Sequence, residues 1–165
     1  LLWKGPRDLS GRVSLGTEGA NLLLQVRVTD NIHHQPERGA NAWMGDNIQF
    51  ALELPGRKGG WELGLTRLAD GSPEVWCWSA PDGFDPAAAA RGIVLATSRE
   101  ESETVYCAKI PFETLGLTPE LLKEGFRFNL LINDNDGGGR QGWISIAPGI
   151  GERKDPSQFP FVIFN

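Results

Sequence analysis

Apolar and polar residues alternate one by one along many short stretches of this chain. That period of two constrains the fold more than any other feature. Leu22, Leu24, Val26 and Val28 share one side of their stretch, while Leu23, Gln25, Arg27 and Thr29 share the other. Ile48, Phe50, Leu52 and Leu54 oppose Asn47, Gln49, Ala51 and Glu53, and Leu63 and Leu65 oppose Glu62, Gly64 and Thr66. Tyr106, Ala108 and Ile110 oppose Val105, Cys107 and Lys109. Phe126, Phe128, Leu130 and Ile132 oppose Arg127, Asn129, Leu131 and Asn133. Successive side chains of a strand point to opposite faces, so each stretch reads as a strand with one buried face. Further strands are expected near 11–15, 73–79, 92–98, 141–147 and 159–165, making about ten in all. The 21 Gly and 11 Pro that separate these stretches supply the turns. The pattern predicts an all-β chain: an antiparallel β-sandwich, jelly-roll-like, with Leu24, Val26, Ile48, Phe50, Leu63, Phe128, Leu130 and Ile132 in the core.

Helix signals amount to two short turns. Thr118 is placed as an N-cap before Pro119, with Gly125 as the stop, and Asp85-Pro86 precedes the run Ala87 to Ala90. Neither forms a layer, and no phosphate-binding glycine pattern lies between a strand and a helix. The 165 residues make one domain, 1–165. A chain of this size buries about two-thirds of its surface and needs no metal or disulfide staple. With one Met and Leu1 at its start, it reads as a module trimmed from a longer secreted protein.

Charge and composition exclude several functions. The 21 acidic residues outnumber 16 basic ones, and no basic tract is present, so a nucleic-acid partner is not expected. No apolar run approaches the ~18 residues that would cross a membrane. The two His and two Cys are too few and too scattered for a Cys/His zinc site. His33 and His34 are adjacent in a polar loop, and no Gly-x-Ser-x-Gly elbow exists, so no catalytic triad emerges and no enzyme is expected. Cys77 and Cys107 both fall within strands. They pair if those strands are neighbours and remain free thiols otherwise.

The tryptophans carry more information. Trp43 lies in the loop Gly39–Asp46, among Gly, Asn and Asp residues that mark a surface turn. An exposed indole can stack on the C–H face of a sugar ring while nearby amides and carboxylates take its hydroxyls. The alternative is an indole folded back over the core. Trp76 and Trp78 share a strand face, where aromatics are common whatever their role. Trp61 and Trp143 begin strands and are assigned to the core. Gln25, Arg27, Gln49, Glu53, Glu62, Thr66, Arg127, Asn129 and Asn133 form either a polar plate suited to hydroxyl-rich ligands or an ordinary solvated sheet face. The oxygen-rich segment Asn133–Arg140 is either a plain hairpin turn or a calcium loop. In the second case Asp134 and Asp136 are the metal ligands, helped by carbonyls of Gly137–Gly139.

Several motifs in order resemble a family 9 carbohydrate-binding module and the wider DOMON-like superfamily. They are Val28-Thr29-Asp30-Asn31; Ala42-Trp43-Met44-Gly45-Asp46-Asn47-Ile48-Gln49-Phe50; Ala108-Lys109-Ile110-Pro111-Phe112; Phe126 to Asp134; Gly139-Arg140; and Asp155-Pro156-Ser157-Gln158-Phe159. The resemblance implies a sugar-binding β-sandwich with structural calcium, extracellular or periplasmic, attached to a catalytic domain that degrades polysaccharide. It implies a carbohydrate-binding set of Trp43, Gln49, Thr66 and Arg153. Trp43 matches the first of two clamping tryptophans. Gln49 falls where the family has an acid, and Thr66 where it has an Asn. Gly64 and Leu131 replace an expected Arg and Gln. Arg153 falls near the second clamp position, which shifts the expected ligand toward an acidic sugar. Two other readings follow from the same residues. One is a structural or interaction module with a degenerate ligand site. The other is a haem-binding DOMON-type domain using Met44 and His34.

Overall fold

The computed structural model describes residues 3–165, in ten strands and a few short helices. The strands are β1 (Leu9–Glu18), β2 (Asn21–Asp30), β3 (Asn47–Glu53), β4 (Trp61–Arg67), β5 (Pro73–Ser79), β6 (Val94–Glu100), β7 (Glu103–Pro111), β8 (Phe126–Asp134), β9 (Gly142–Ser145) and β10 (Phe161–Val162). The helices are α1 (Pro86–Gly92), α2 (Phe112–Leu115) and α3 (Pro119–Glu124). A four-stranded sheet runs β1-β2-β7-β6. A six-stranded sheet runs β10-β8-β3-β4-β5, with β9 on the same edge of β8 as β10 but at its other end. Every pairing is antiparallel.

The apolar rows identified from the sequence meet between the sheets. All eight expected core residues are buried there, together with Leu22, Leu52, Leu65, Tyr106 and Ile110. Trp61 closes one end of this core. Its ring meets Phe84 edge-on at 5.1 Å, and its Nε1 donates to the Leu115 carbonyl at 3.0 Å. A buried indole thus satisfies its one polar atom. The helical turns cap as their sequences dictate. Asp85 accepts from the Ala87 amide, Thr118 accepts from the Leu121 amide, and Gly125 at φ +97° ends α3 in a conformation that favours glycine.

Two findings depart from the alternation. Leu131, on the outward row of β8, is fully buried. It belongs to a second apolar cluster with Ala51, Ile150 and Phe159, against which Trp143 packs. Trp143 therefore lies outside the sandwich rather than in its core. The segment 146–160 covers this face, held by polar side chains of β8. Asn129 Nδ2 donates to the carbonyls of Ala147 (2.8 Å) and Pro148 (3.0 Å), and Arg127 Nη1 donates to those of Ser157 (3.1 Å) and Phe159 (2.9 Å). Cys77 and Cys107 are free: Cys77 points into the core from β5, whereas Cys107 lies on the exposed outer row of β7 in the other sheet.

Removing the Trp61 ring should cost about 3–5 kcal/mol, since it empties a buried site and strands the Leu115 carbonyl. Urea unfolding of Trp61→Ala should show that loss as a lower midpoint with an unchanged slope.

Candidate functional site

The outward rows of β3, β4 and β8 place Asn47, Gln49, Glu62, Thr66 and Asn133 side by side. Gln49 stands opposite Gly64 on one neighbour and Leu131 on the other. Gln25 and Arg27 belong to the other sheet, so the expected polar plate divides in two. On the larger sheet these polar groups are mostly buried and bonded to each other. Asn133 Nδ2 donates to Asn47 Oδ1 (2.6 Å) and to Gln49 Oε1 (3.0 Å), and Gln49 Nε2 donates to Glu62 Oε1 (3.3 Å). The chain of bonds ends in cations on both sides. Arg140 Nε donates to Asn133 Oδ1 at 2.7 Å, and Lys154 pairs with Glu62.

Indoles wall the space above this network. The turn Gly39–Met44 presents Trp43 with 40% of its surface exposed. Trp78 enters from β5, fixed by its Nε1 bond to the Ala40 carbonyl at 2.9 Å. It occupies space that Gly64 leaves free, since a Cβ there would lie 2.5 Å from the indole. The Arg140 guanidinium stacks on Trp143 at 4.3 Å and on Trp43 at 5.5 Å from the ring centroids. Burial lowers its pKa from the ordinary arginine value. The result is a cleft of about 330 Å³ lined by Trp43, Trp78, Gln49, Glu62, Arg140 and Lys154, with Ala40, Ile150 and Gly151. A second cleft, of about 290 Å³, shares Glu62, Ile150 and Lys154 with it. A depression of about 380 Å³ on the smaller sheet, around Leu23, Gln25 and Cys107, has no aromatic wall.

Of the sugar-binding residues expected from sequence, Trp43 and Gln49 line the cleft. Thr66 does not: it is buried opposite Asn47, with its hydroxyl unpartnered. Arg153 does not either. It is exposed, and the next residue, Lys154, is the one drawn in by Glu62. Glu62 comes from the polar plate, whereas Trp78, Arg140 and Lys154 lie outside the sugar-binding residues expected from sequence. Gly64 carried the only signal for Trp78, as a gap beside a strand of aromatics. His34 and Met44 do not line the cleft. One carboxylate, Glu62, lines it, whereas hydrolysis of a glycosidic bond uses a pair.

Beside the cleft lies an acidic cluster. Oxygens of Asp30, Asp134 and Asp136 fall within 4.8 Å of one another, and Asp46 approaches Asp30 and His33 equally closely. The strand ends make this meeting: Asp30 closes β2, Asp134 closes β8, and Asp46 precedes β3. Asp46 accepts from the amides of His34 and Asn135. Asn135 Oδ1 accepts from the amides of Gly137 (2.8 Å) and Gly139 (3.2 Å), which closes the turn. Among the described residues the buried Oδ1 of Asp136 has no partner, while its Oδ2 lies 4.0 Å from Lys4 Nζ. Burial raises the Asp46 pKa to about 8, with Asp30 adding to the shift. Burial likewise raises Asp30 and Asp134 to about 6 each. For Asp134 the neighbouring Asp136 is the next cause.

No protein-family model and no curated protein matches the sequence. Solved structures match the fold. A family 9 carbohydrate-binding module from Caldicellulosiruptor kristjanssonii, in complex with cellotriose, superposes with a TM-score of 0.70 at 13% identity, over 97% of this chain and 77% of that one. The family 9 module from the same organism in complex with glucose gives 0.68 at 13% identity, over 97% and 82%. A Bacteroides uniformis protein named for a suggested carbohydrate-binding role gives 0.72 at 14% identity, over 99% and 82%. The chain shares the β-sandwich fold of these proteins.

The acidic cluster sets the sign of the pH dependence without added cation. Asp30, Asp46 and Asp134 release protons near pH 3.8 when unfolded but near 6–8 when folded. Between those values the folded state holds more protons, so stability is greatest on the acid side and falls as pH rises. In chelator, the Tm should drop by roughly 5–10 °C from pH 5 to pH 8, after allowing for screening at the less buried Asp134. Asp46→Asn should flatten that slope in thermal melts across the same range.

Proposed function

We propose that this chain is a non-catalytic carbohydrate-binding module and that the Trp43 cleft holds the sugar. The observation that carries the reading is an exposed indole above a floor of fixed polar groups. An apolar ring face and a set of oriented donors and acceptors are what a pyranose offers surface for. Trp43 supplies the stacking face. Gln49, Glu62 and Lys154 take hydroxyls, and Trp78 closes the cleft from β5. The likeness to structures solved with cellotriose and glucose supports the same ligand class. Such a module works outside the cytoplasm, joined to an enzyme that degrades polysaccharide.

We extend the proposal to a structural calcium ion at Asp30, Asp134 and Asp136. Calcium takes carboxylate oxygens in flexible loops, and here three carboxylates converge. The orphaned Asp136 Oδ1 fits an oxygen intended for a cation. The ion would supply positive charge to carboxylates whose ionisation burial makes costly at Asp30 and Asp134.

Titration with neutral oligosaccharides should quench or shift tryptophan fluorescence with an affinity on the order of 0.1–1 mM, typical of a shallow one-cleft site. Trp43→Ala should weaken binding about tenfold or more, which corresponds to roughly 1.4 kcal/mol. No response to any sugar in a broad panel would refute the reading. For the metal, excess chelator should lower the Tm and calcium should restore it, while Asp134→Asn should abolish the response. A melt unaffected by chelator would leave the segment as a simple turn.

A further inference from the structure

Arg140 is the one cation in the cleft whose charge is not met. Lys154 is neutralised by Glu62, but Arg140 forms no ion pair among the described residues. Glu152 acts on it only through space. Two positive charges and one negative line the cleft, leaving one positive in excess, on a chain whose net charge is −5. On an acidic chain with a carboxylate cluster nearby, an anion gains from this charge only in direct contact with it.

The guanidinium is also held in place. Asn133 spends both its amide hydrogens on Asn47 and Gln49, so its oxygen must face Arg140 Nε. Its position over the rings of Trp143 (4.3 Å) and Trp43 (5.5 Å) further restricts where the group can lie. Five N–H donors minus the one given to Asn133 leave the two Nη atoms, which bond no protein acceptor. Both point their donors from a partly desolvated site, where an unmet charge is costly. A planar pair of donors matches a carboxylate in bidentate fashion, and an ordered guanidinium loses little entropy in making that contact.

We propose that the cleft selects a carboxylate-bearing sugar, a hexuronic acid residue, with the Nη1 and Nη2 edge of Arg140 holding the carboxylate. This rests on the sugar-binding reading above and names its ligand class. The exposed part of the Trp43 indole, beyond the portion that Arg140 overlies, takes the sugar ring, and the free edge of Arg140 takes the C6 carboxylate. A neutral hexose in the same pose presents a hydroxymethyl group, which cannot satisfy both Nη atoms or the charge. Arg153, the arginine expected from sequence to favour acidic sugars, lies outside the cleft and plays no part.

The test compares short oligogalacturonides and oligoglucuronides with their carboxyl-reduced neutral counterparts, by calorimetry at about 50 mM salt. The acidic member of each pair that binds should bind about tenfold tighter, a gap of roughly 1.4 kcal/mol. The gap should narrow at about 500 mM salt, as a charge contact requires. Arg140→Gln should bring the acid-to-neutral ratio close to one. Arg140→Lys should restore only part of it, since the charge returns without the fork. If Arg140→Gln fails to fold, the salt dependence of the wild-type ratio decides instead. Neutral sugars binding as well as acidic ones would overturn the uronate inference and leave the sugar-binding reading standing. No binding by either class would end both. A ratio unchanged in Arg140→Gln would remove Arg140 from the account.

Discussion

Several polar side chains on the outer face of the larger sheet are buried, among them Asn47, Gln49, Asn129 and Asn133, and most of their polar atoms find partners. That need for partners organises the functional side of the molecule. An unpaired buried polar group costs on the order of 1–3 kcal/mol, so the covering segment must follow where the donors and acceptors lie. Asn129 and Arg127 bind carbonyls of the segment 146–160 and so roof one half of the face. Asn133 joins Asn47, Gln49 and Arg140 on the other half, where the roof stops. The cleft is the part of the polar face that the covering chain leaves open. Its floor was fixed by the same bonds that fold the loops down.

This explains why the fold was legible in the sequence and the site only partly so. Alternation reports which row of a strand is apolar, and the inner rows at Leu24, Phe50 and Phe128 followed it. The outer row carries a different message. Leu131 and Asn129 share it, yet one joins an apolar cluster and the other bonds loop carbonyls. Both depend on a segment some twenty residues away, and period-two patterns contain nothing about that segment. The same limit hid Trp78, which reaches the cleft only because Gly64, on the neighbouring strand, has no side chain. Trp43 was legible because its loop composition already implied exposure. Lys154 was not, because its inward turn depends on Glu62 across the fold. Thr66 was assigned by position in a motif, but its place opposite Asn47 puts it beneath the loops.

The acidic cluster adjoins the cleft through one stretch of chain. Residues 133–140 begin with Asn133 in the hydrogen-bonded floor, continue through Asp134 and Asp136 in the cluster, and end with Arg140 on the indoles. Asn135 ties the stretch together by bonding two glycine amides and the Met44 carbonyl. Carboxyls crowded at one strand end repel when ionised, and burial raises the pKa values of Asp30, Asp46 and Asp134, the three that water screens least. A cation there would hold the turn closed from the acidic side. Arg140 and its bond to Asn133 hold it from the cleft side.

Opposite charges at the two ends of a short loop therefore serve different purposes. At Asp134 and Asp136 the surplus is negative and can be met by an ion small enough to enter a carboxylate cluster. At Arg140 the surplus is positive, planar and stacked, and it faces an open cleft that a sugar can enter. Neither surplus cancels the other, because the turn holds the groups in separate surroundings, Asp136 beside Asp30 and Arg140 on Trp143. Folding this loop leaves Arg140 without an ion pair among the described residues and the carboxylates with only the 4.0 Å pair between Lys4 and Asp136, and poorly met charge in a partly dry site is a cost that stability alone gives no reason to keep. The ligands proposed above, a cation at one end and a sugar carboxylate at the other, would each supply such a reason.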